Sequence, residues 1–268
     1  MAEEKKTLVH FKVKDSIALF TLDDPPANTY TYEMMRQLDD CILRARMRDD
    51  VHVIVITGQG EKFFSAGANI QMLTEVTFEF KYCFCLHANE TLMRLEQTPK
   101  LVIAALNGHT VGGGLEIAMA ADIRIARQGG GKIGLPEVNL GVLPGTGGTQ
   151  RMARLLGKSK AIQLMAEGRT FDFEEGLELG LVNEVWEADS HEAFMDRVLE
   201  YAGGFTPPAR ASKAVGFIKR SVQTGWELPL AEALAVEREL QQQLFESGDA
   251  REGLTAYKEK RKPEFEGS

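Results

Sequence analysis

Apolar and polar residues alternate along the first two regular segments of the chain, residues 8–14 and 16–22. A period of two is typical of a half-buried β-strand, so these segments predict a β-hairpin or two neighbouring strands. After Thr31, a suitable N-cap, apolar residues recur at helical spacing from Met34 to Ala45. The β-branched run at 51–57 then predicts a buried parallel strand. This order of strand, helix and strand predicts an α/β fold.

Further along, residues 78–94 predict a helix that is rich in bulky aromatic side chains, and residues 155–167 predict another helix. The aromatic side chains of this helix, including Phe84, either pack in the core or shape a pocket. Replacing Phe84 tests the choice. A short apolar run at 123–126 predicts a further strand, and residues 180–185 predict a turn that leads into a short strand.

The end of the chain is predicted to be all helical. From about residue 190, amphipathic helices are expected over residues 193–201, 208–223, 230–245 and 249–260. Their apolar faces lie outside the α/β core and need burial, which favours contacts between subunits. The chain therefore suits one α/β core with a helical appendage.

Composition narrows the class of protein. The chain has 268 residues and a formal net charge of −8, which disfavours nucleic-acid binding by bulk electrostatics. Its three cysteines show no metal-ligand spacing and suggest a cytosol-like compartment. Residues 1–6 lack the features of a signal or transit peptide, and no apolar run is long enough to span a membrane. We therefore expect a cytoplasmic protein with neither nucleic acid nor membrane as a partner.

The first candidate site is the run from Val111 to Asp122, in which Gly112, Gly113 and Gly114 lead into a helix of small and apolar residues. The free N–H groups at such a helix start can bind a developing negative oxygen, and Glu116 lies about one turn further on. Alternatively, the glycines only allow close backbone packing and Glu116 complements the helix dipole.

A second loop of small residues, Ser65-Ala66-Gly67-Ala68, follows the strand at 51–57. It could bring another N–H group into the same site, or it could be a plain tight connection. Two apparent nucleotide-binding patterns are rejected. Residues 129–134 match a dinucleotide-binding loop, but Leu135-Pro136 follows where the pyrophosphate-binding helix should begin. A possible P-loop is rejected because Met152 stands where its first glycine is required.

A lone acid, Glu137, stands in an otherwise apolar and glycine-rich stretch. Burial would disfavour its ionised form, and a carboxyl group poised near neutrality suits proton transfer. The alternative is an exposed loop glutamate, as most glutamates are.

Together, residues 65–70, 107–116 and 135–151 resemble the crotonase (enoyl-CoA hydratase/isomerase) superfamily in order and spacing, and the resemblance covers essentially the whole chain. It implies a crotonase-like spiral of ββα units over residues 1–200, which carries the active site. It further implies a C-terminal helical trimerisation region over 201–268 that contributes part of the CoA site. The expected assembly is a homotrimer or a dimer of trimers.

Within that family, Glu116 and Glu137 match the two catalytic glutamates of enoyl-CoA hydratase. Ala68 and Gly113 match the oxyanion-hole donors, and Ala66 matches a residue whose backbone holds the CoA adenine. The basic cluster at the C-terminus contains a further match, Lys260, to a lysine that meets CoA near a subunit boundary. The resemblance implies no metal and no redox cofactor, since coenzyme A enters as the carrier of the substrate.

Two positions depart from the family pattern. Asn69 stands where many members carry Asp, and the three glycines at 129–131 lengthen the connection before Glu137, which could shift that carboxyl group.

The implied activity is that of an enoyl-CoA hydratase of fatty-acid β-oxidation, a hydro-lyase that adds water reversibly to a 2-enoyl-CoA to give a 3-hydroxyacyl-CoA. Two N–H donors suit the enolate oxygen, and two carboxyl groups can activate water and protonate carbon 2. The alternatives are another acyl-CoA enzyme of the fold, namely an isomerase, a hydrolase or a hydratase of branched or aromatic pathways, or an AU-rich-RNA-binding homologue. The sequence does not settle the acyl group or the choice between trimer and hexamer.

Overall fold

The structure is a computed structural model in which residues 6–268 are described; the expectation of no targeting peptide concerns residues 1–6 and lies almost wholly outside them. The strands are β1 (Val9–Lys14), β2 (Ile17–Leu22), β3 (Val53–Gly58), β4 (Phe63–Ser65), β5 (Leu101–Leu106), β6 (His109–Val111), β7 (Ile123–Arg127), β8 (Lys132–Gly134), β9 (Thr170–Asp172) and β10 (Glu184–Trp186).

The helices are α1 (Tyr32–Arg46), α2 (Ile70–Glu75), α3 (Phe78–Glu96), α4 (Gly113–Met119), α5 (Gly148–Leu156), α6 (Lys158–Glu167), α7 (Phe173–Glu178), α8 (His191–Gly203), α9 (Ser212–Gly225), α10 (Leu230–Phe245) and α11 (Gly248–Glu259). A short 3₁₀ helix covers Glu137–Leu140. The predicted α/β class is confirmed.

The larger sheet has the strand order β1-β2-β3-β5-β7-β10. Its β1–β2 pair is antiparallel, which is the hairpin of the two predicted alternatives, and β2, β3, β5, β7 and β10 then run parallel. Every residue of β3 and β5 is buried, as expected for a parallel strand covered on both faces. The Thr31 hydroxyl accepts a hydrogen bond from the Met34 N–H and begins α1, as predicted.

A second sheet, with the order β4-β6-β8-β9, was not predicted. Each of its strands is three residues long, so none of them presents a measurable period of two. Parallel pairing joins β4 to β6 and β6 to β8. The strand β6 leads directly into α4, so this small sheet places the glycine-rich helix start.

The predicted helix over 155–167 is wrong in its bounds. Helix α5 begins at Gly148 and is separated from α6 by Gly157, which has a φ of +78° and so interrupts the helical backbone. The helix predicted from 208 begins instead at Ser212. The remaining C-terminal helices lie close to their predicted ranges.

Helix α9 packs on the core through a buried ion pair. Lys219 is 6% exposed, its Nζ lies 2.9 Å from Asp122 Oδ2, and it also donates hydrogen bonds to the Leu95 and Lys100 carbonyls. Large apolar side chains on α9 to α11 and directly after α9 nevertheless stay exposed in the single chain, including Trp226, Leu230, Phe245 and Tyr257. Over residues 6–268, none of the helices has the length and apolar character needed to cross a bilayer.

Candidate active site

The start of α4 is the centre of the candidate site. All residues of the helix are buried, and Gly112, the residue before it, has a φ of +56° that favours glycine. At Gly113 a side chain has no room, because a Cβ atom there would overlap the ring and hydroxyl of Tyr30. The glycines therefore let a tyrosine and a helix N-terminus meet at contact distance.

The loop after β4 lies against this helix start. Gly67 has a φ of +90°, and a Cβ atom built on it would lie 2.8 Å from the Gly113 nitrogen. The Tyr30 N–H donates to the Gly67 carbonyl at 2.9 Å, and the Tyr30 carbonyl accepts from the Asn69 N–H at 3.0 Å. Because this bridge uses the groups on either side of Ala68, the N–H of Ala68 points away from Tyr30.

Ala68 and Gly113 are the predicted oxyanion donors, and the structure places them on neighbouring segments. Within the part of the chain that the structure describes, neither backbone N–H donates a hydrogen bond to a protein acceptor. Buried or half-buried N–H groups are rarely left without an acceptor, so both are available to a ligand oxygen.

Glu116 lies on α4 and is 1% exposed. Its Oε1 accepts hydrogen bonds from the backbone N–H groups of Thr146 at 2.7 Å and Gly148 at 2.6 Å. Burial raises the pKa of Glu116, and these two bonds, the Thr146 hydroxyl and the positive charge of Arg151 oppose that rise. The carboxyl group is thus fixed in position and its charged form is partly compensated.

Glu137, at the start of the 3₁₀ helix, also reaches the start of α4. Its Oε1 lies 3.1 Å from the position that a Cβ atom on Gly112 would take. Burial raises the pKa of Glu137 to about 7, and the charge of Glu116 adds to the rise. Its buried Oε2 has no hydrogen-bond partner among residues 6–268. Despite the longer connection at 129–131, this carboxyl group therefore meets the glycine-rich helix start.

The two carboxyl groups differ in their hydrogen bonding and in their pKa. Glu116 is held by two backbone donors, whereas Glu137 has a free oxygen and a pKa near neutrality. Pairs of acids whose environments differ are typical of sites that need one base and one acid.

The other two predicted binding residues are Ala66 and Lys260. The Ala66 N–H donates to the Ala27 carbonyl at 2.9 Å, and its own carbonyl lies near Gly112. Lys260 ends α11 with a φ of +58° and is exposed; in the described chain its ammonium group forms no ion pair or hydrogen bond. The structure thus does not join Lys260 to the carboxyl pair. Asn69 caps α2 by accepting from the Met72 N–H, so this departure from the family pattern has a structural role.

Three residues of the site were missed from the sequence. The Tyr30 hydroxyl lies 2.8 Å from Thr146 Oγ1, and Arg151 donates to the Thr146 carbonyl at 3.1 Å while pairing with Glu96. Nothing in the local pattern marks Tyr30, because its partner is 116 residues away. Among the described residues, no group of His, Cys, Asp or Glu side chains has an arrangement that could hold a metal ion.

Comparison with known proteins places these features in a family. A sequence profile described as Enoyl-CoA hydratase/isomerase matches residues 12–268. The chain is 35% identical to a probable enoyl-CoA hydratase of Bacillus subtilis (strain 168) over 97% of this chain and 98% of that protein. It is 37% identical to the short-chain-enoyl-CoA hydratase of Clostridium acetobutylicum over 92% and 93% of the two chains.

Solved structures agree with the sequence relatives. The fold is similar to that of a crystal structure of an enoyl-CoA hydratase from Geobacillus kaustophilus HTA426, with a TM-score of 0.94, 44% identity and 98% of both chains covered. It is also similar to an enoyl-CoA hydratase of Thermoplasma volcanium GSS1, with a TM-score of 0.84, 33% identity and coverage of 94% and 98%. The crotonase-like fold expected from the sequence is thereby confirmed.

Proposed function

The chain belongs to the enoyl-CoA hydratase/isomerase family, and we propose that within it this protein is an enoyl-CoA hydratase, which adds water reversibly to a 2-enoyl-CoA. The observation that carries the proposal is the pair of unlike carboxyl groups at one helix start: Glu116 fixed by two N–H donors, and Glu137 with an unpartnered oxygen. A reaction that moves one proton between two carbons needs only one such group, whereas hydration uses an acid and a base.

In the proposed mechanism, the thioester carbonyl oxygen of the substrate accepts hydrogen bonds from the N–H groups of Ala68 and Gly113. As water adds to carbon 3, negative charge develops on that oxygen. Donors fixed in place before the reaction stabilise this charge without reorganisation, and one such donor is typically worth about 3 kcal/mol in the transition state.

The carboxyl groups then divide the proton transfers. Glu116, in its ionised form, takes a proton from the water as the water oxygen bonds to carbon 3. Glu137, in its protonated form, gives its proton to carbon 2 of the enolate. The product has gained one water molecule, and the proton held by Glu116 returns to Glu137 by exchange before the next turnover. The raised pKa of Glu137, about 7, supports its role as the acid, and the two backbone donors to Glu116, which favour its ionised form, support its role as the base.

The test is hydration of crotonyl-CoA, followed through the loss of the enoyl-thioester absorbance. We expect Glu137→Gln and Glu116→Gln each to lower kcat by about two orders of magnitude or more, since each removes a proton-transfer group but keeps the side-chain shape. The more exposed Glu239→Gln on α10 is the matched control and should keep full activity. Near-wild-type hydration in either active-site variant would exclude this mechanism.

The pH dependence of wild-type activity provides a second test, because the mechanism predicts its direction. The acid must be protonated, so activity should fall as pH rises through the Glu137 pKa of about 7. A panel with 2-enoyl-CoA and 3-enoyl-CoA substrates in parallel separates hydration from double-bond isomerisation.

We further propose that the substrate's CoA group contacts the backbone of Ala66 and that Lys260 meets CoA from a neighbouring subunit. Lys260 is exposed and does not contact the carboxyl pair within the single chain, which suits a contact with substrate bound to a neighbouring subunit. The proposed homo-oligomer, a trimer or a dimer of trimers, would cover the exposed apolar residues of α9 to α11, such as Trp226 and Leu230. Sedimentation at micromolar concentration tests the assembly, and a stable monomer would contradict it.

A further inference from the structure

Tyr30 lies where the parts of the proposed site meet, yet no step described above uses it. Its side chain is 2% exposed, and its ring and hydroxyl touch the face of Gly113 on which a Cβ atom would stand. The hydroxyl oxygen is 2.8 Å from Thr146 Oγ1. The same residue therefore contacts the helix start that carries one proposed oxyanion donor and the segment that holds Glu116.

The Tyr30 hydroxyl is linked to Glu116 through Thr146. The Thr146 side chain binds the Tyr30 hydroxyl at 2.8 Å, and the Thr146 backbone N–H donates to Glu116 Oε1 at 2.7 Å. Each hydroxyl can donate or accept, so the bond fixes the position of Thr146 whichever of the two donates. Tyr30 therefore holds the residue that binds the Glu116 carboxyl group.

The backbone of Tyr30 acts on the other side of the site. Its N–H and carbonyl bond to Gly67 and Asn69, the residues on either side of Ala68. These two bonds turn the Ala68 N–H away from Tyr30, and Gly67 lies against the Gly113 nitrogen. One residue thus contacts both segments that carry the proposed oxyanion donors and, through Thr146, the proposed base.

We propose, on the basis of the hydration mechanism above, that Tyr30 is a positioning residue whose hydroxyl, acting through Thr146, keeps Glu116 oriented and ionised beside the Gly113 helix start. A purely structural tyrosine needs only one acceptor for its hydroxyl, and any backbone carbonyl would serve. Here the hydroxyl instead binds Thr146, whose backbone N–H donates to the proposed base Glu116. The strength of a hydrogen bond depends on its geometry, so a donor that is fixed in position supports the carboxylate better than a mobile one.

The decisive variant is Tyr30→Phe, which keeps the ring against Gly113 and Phe84 and removes only the hydroxyl that binds Thr146. We expect kcat for crotonyl-CoA hydration to fall about tenfold while KM changes less than twofold, since the buried hydroxyl binds Thr146. The ionised form of Glu116 loses support, so its pKa rises. The acidic limb of the kcat profile should therefore move to higher pH.

Thr146 provides the second arm of the experiment. Thr146→Ser keeps the hydroxyl and should preserve both kcat and the acidic limb. Thr146→Ala should reproduce the Tyr30→Phe effects, and the double variant should lose no more than either single variant, because both changes remove the same hydrogen bond. The matched control is Tyr201→Phe, a partly buried tyrosine that packs on Trp186 and Phe205 and should keep full activity.

A readout that does not need turnover separates this proposal from the function itself. Charged and titratable groups around the carboxyl group are Glu137 from the 3₁₀ helix and Arg151 from α5, with Tyr30 and its neighbour Cys85 of α3 beyond Thr146. We therefore follow the carboxyl infrared band that Glu116→Gln removes, as a function of pH, with Glu137 replaced by Gln throughout. We expect this band to titrate at higher pH in Tyr30→Phe.

An unchanged titration of Glu116 in Tyr30→Phe would overturn the proposal, as would additive losses in the double variant. A wild-type protein that hydrates no enoyl-CoA would instead overturn the proposed function, and the infrared titration would still decide whether Tyr30 supports Glu116.

Discussion

In the larger sheet, β3 and β5 are six residues long and wholly buried, whereas β4, β6 and β8 of the smaller sheet have three residues each. Side chains such as Ile54, Ile56 and Val102 fill the core against the larger sheet. Beside the smaller sheet, Gly67 and Gly113 bring backbone and a tyrosine ring together where a side chain would not fit. One sheet thus supplies apolar burial, and the other supplies backbone groups in fixed positions.

This difference predicts that stability and the proposed chemistry depend on different interactions in this chain. Burial of aliphatic side chains is roughly proportional to area and tolerates many residue types. Aimed N–H groups depend on orientation, which a single misplaced atom can destroy. A change in one sheet should therefore affect mainly folding, and a change beside the other should affect mainly catalysis.

The largest effect is expected from removing one N–H group beside the smaller sheet. Replacing Ala68 by lactic acid turns its amide into an ester, which deletes the donor and adds no atom that could clash. We expect kcat for crotonyl-CoA hydration to fall about 10²- to 10³-fold. The carbonyl stretch of a bound, isotopically labelled enoyl thioester should move back towards its value in solution, because the oxygen loses polarisation.

The matched ester is at Ala121, whose N–H donates to the Ala118 carbonyl at 3.2 Å near the end of α4. This control loses a helix hydrogen bond but no proposed donor to the substrate, so its carbonyl stretch should equal that of the wild type. An unchanged stretch in the Ala68 ester would show that the oxyanion site is formed by other groups.

For the larger sheet we expect the opposite result, a loss of stability without a loss of activity. Ile56→Ala removes aliphatic volume from a fully buried position on β3 and should lower the free energy of unfolding by about 3 kcal/mol. Activity per folded molecule should stay at the wild-type level. Ile162→Ala, at a position that is 64% exposed, is the control and should change stability by less than about 0.5 kcal/mol. Denaturant unfolding measures both, and a lost activity in folded Ile56→Ala would contradict the separation of roles.

The same contrast explains how much of the fold could be predicted from the sequence. The β1–β2 hairpin, α1 and the C-terminal helices repeat apolar residues often enough to show their period, and β3 is marked by its continuous β-branched run. Three-residue strands such as β8 and β9 cannot show a period, so the smaller sheet was missed. Gly157 was passed over within a predicted helical region, although its φ of +78° separates α5 from α6.

For the site, the sequence indicated Glu116 and Glu137 through their glycine-rich surroundings and the family resemblance. It could not show that two backbone N–H groups hold Glu116 while an oxygen of Glu137 stays unpartnered, because those contacts join distant segments. Tyr30 was missed for the same reason, since it meets Thr146 only in the folded chain. The roles of these residues remain predictions that the experiments above address.

The smallest expected effect concerns α3, which contacts the candidate site through Phe84. Phe84 is 2% exposed, its ring lies 5.8 Å from that of Tyr30, and the next residue, Cys85, contacts Gly145 in the loop after Glu137. If this helix shapes the acyl pocket, Phe84→Leu should change the ratio of kcat/KM between crotonyl-CoA and a 2-octenoyl-CoA by about fivefold, the equivalent of about 1 kcal/mol at one pocket contact. A ratio cancels any loss of folded protein, which an absolute rate would not. Phe194→Leu removes the same atoms from the core beside the larger sheet and should leave the ratio unchanged. Equal ratios in the wild type and in both variants would assign Phe84 to core packing alone.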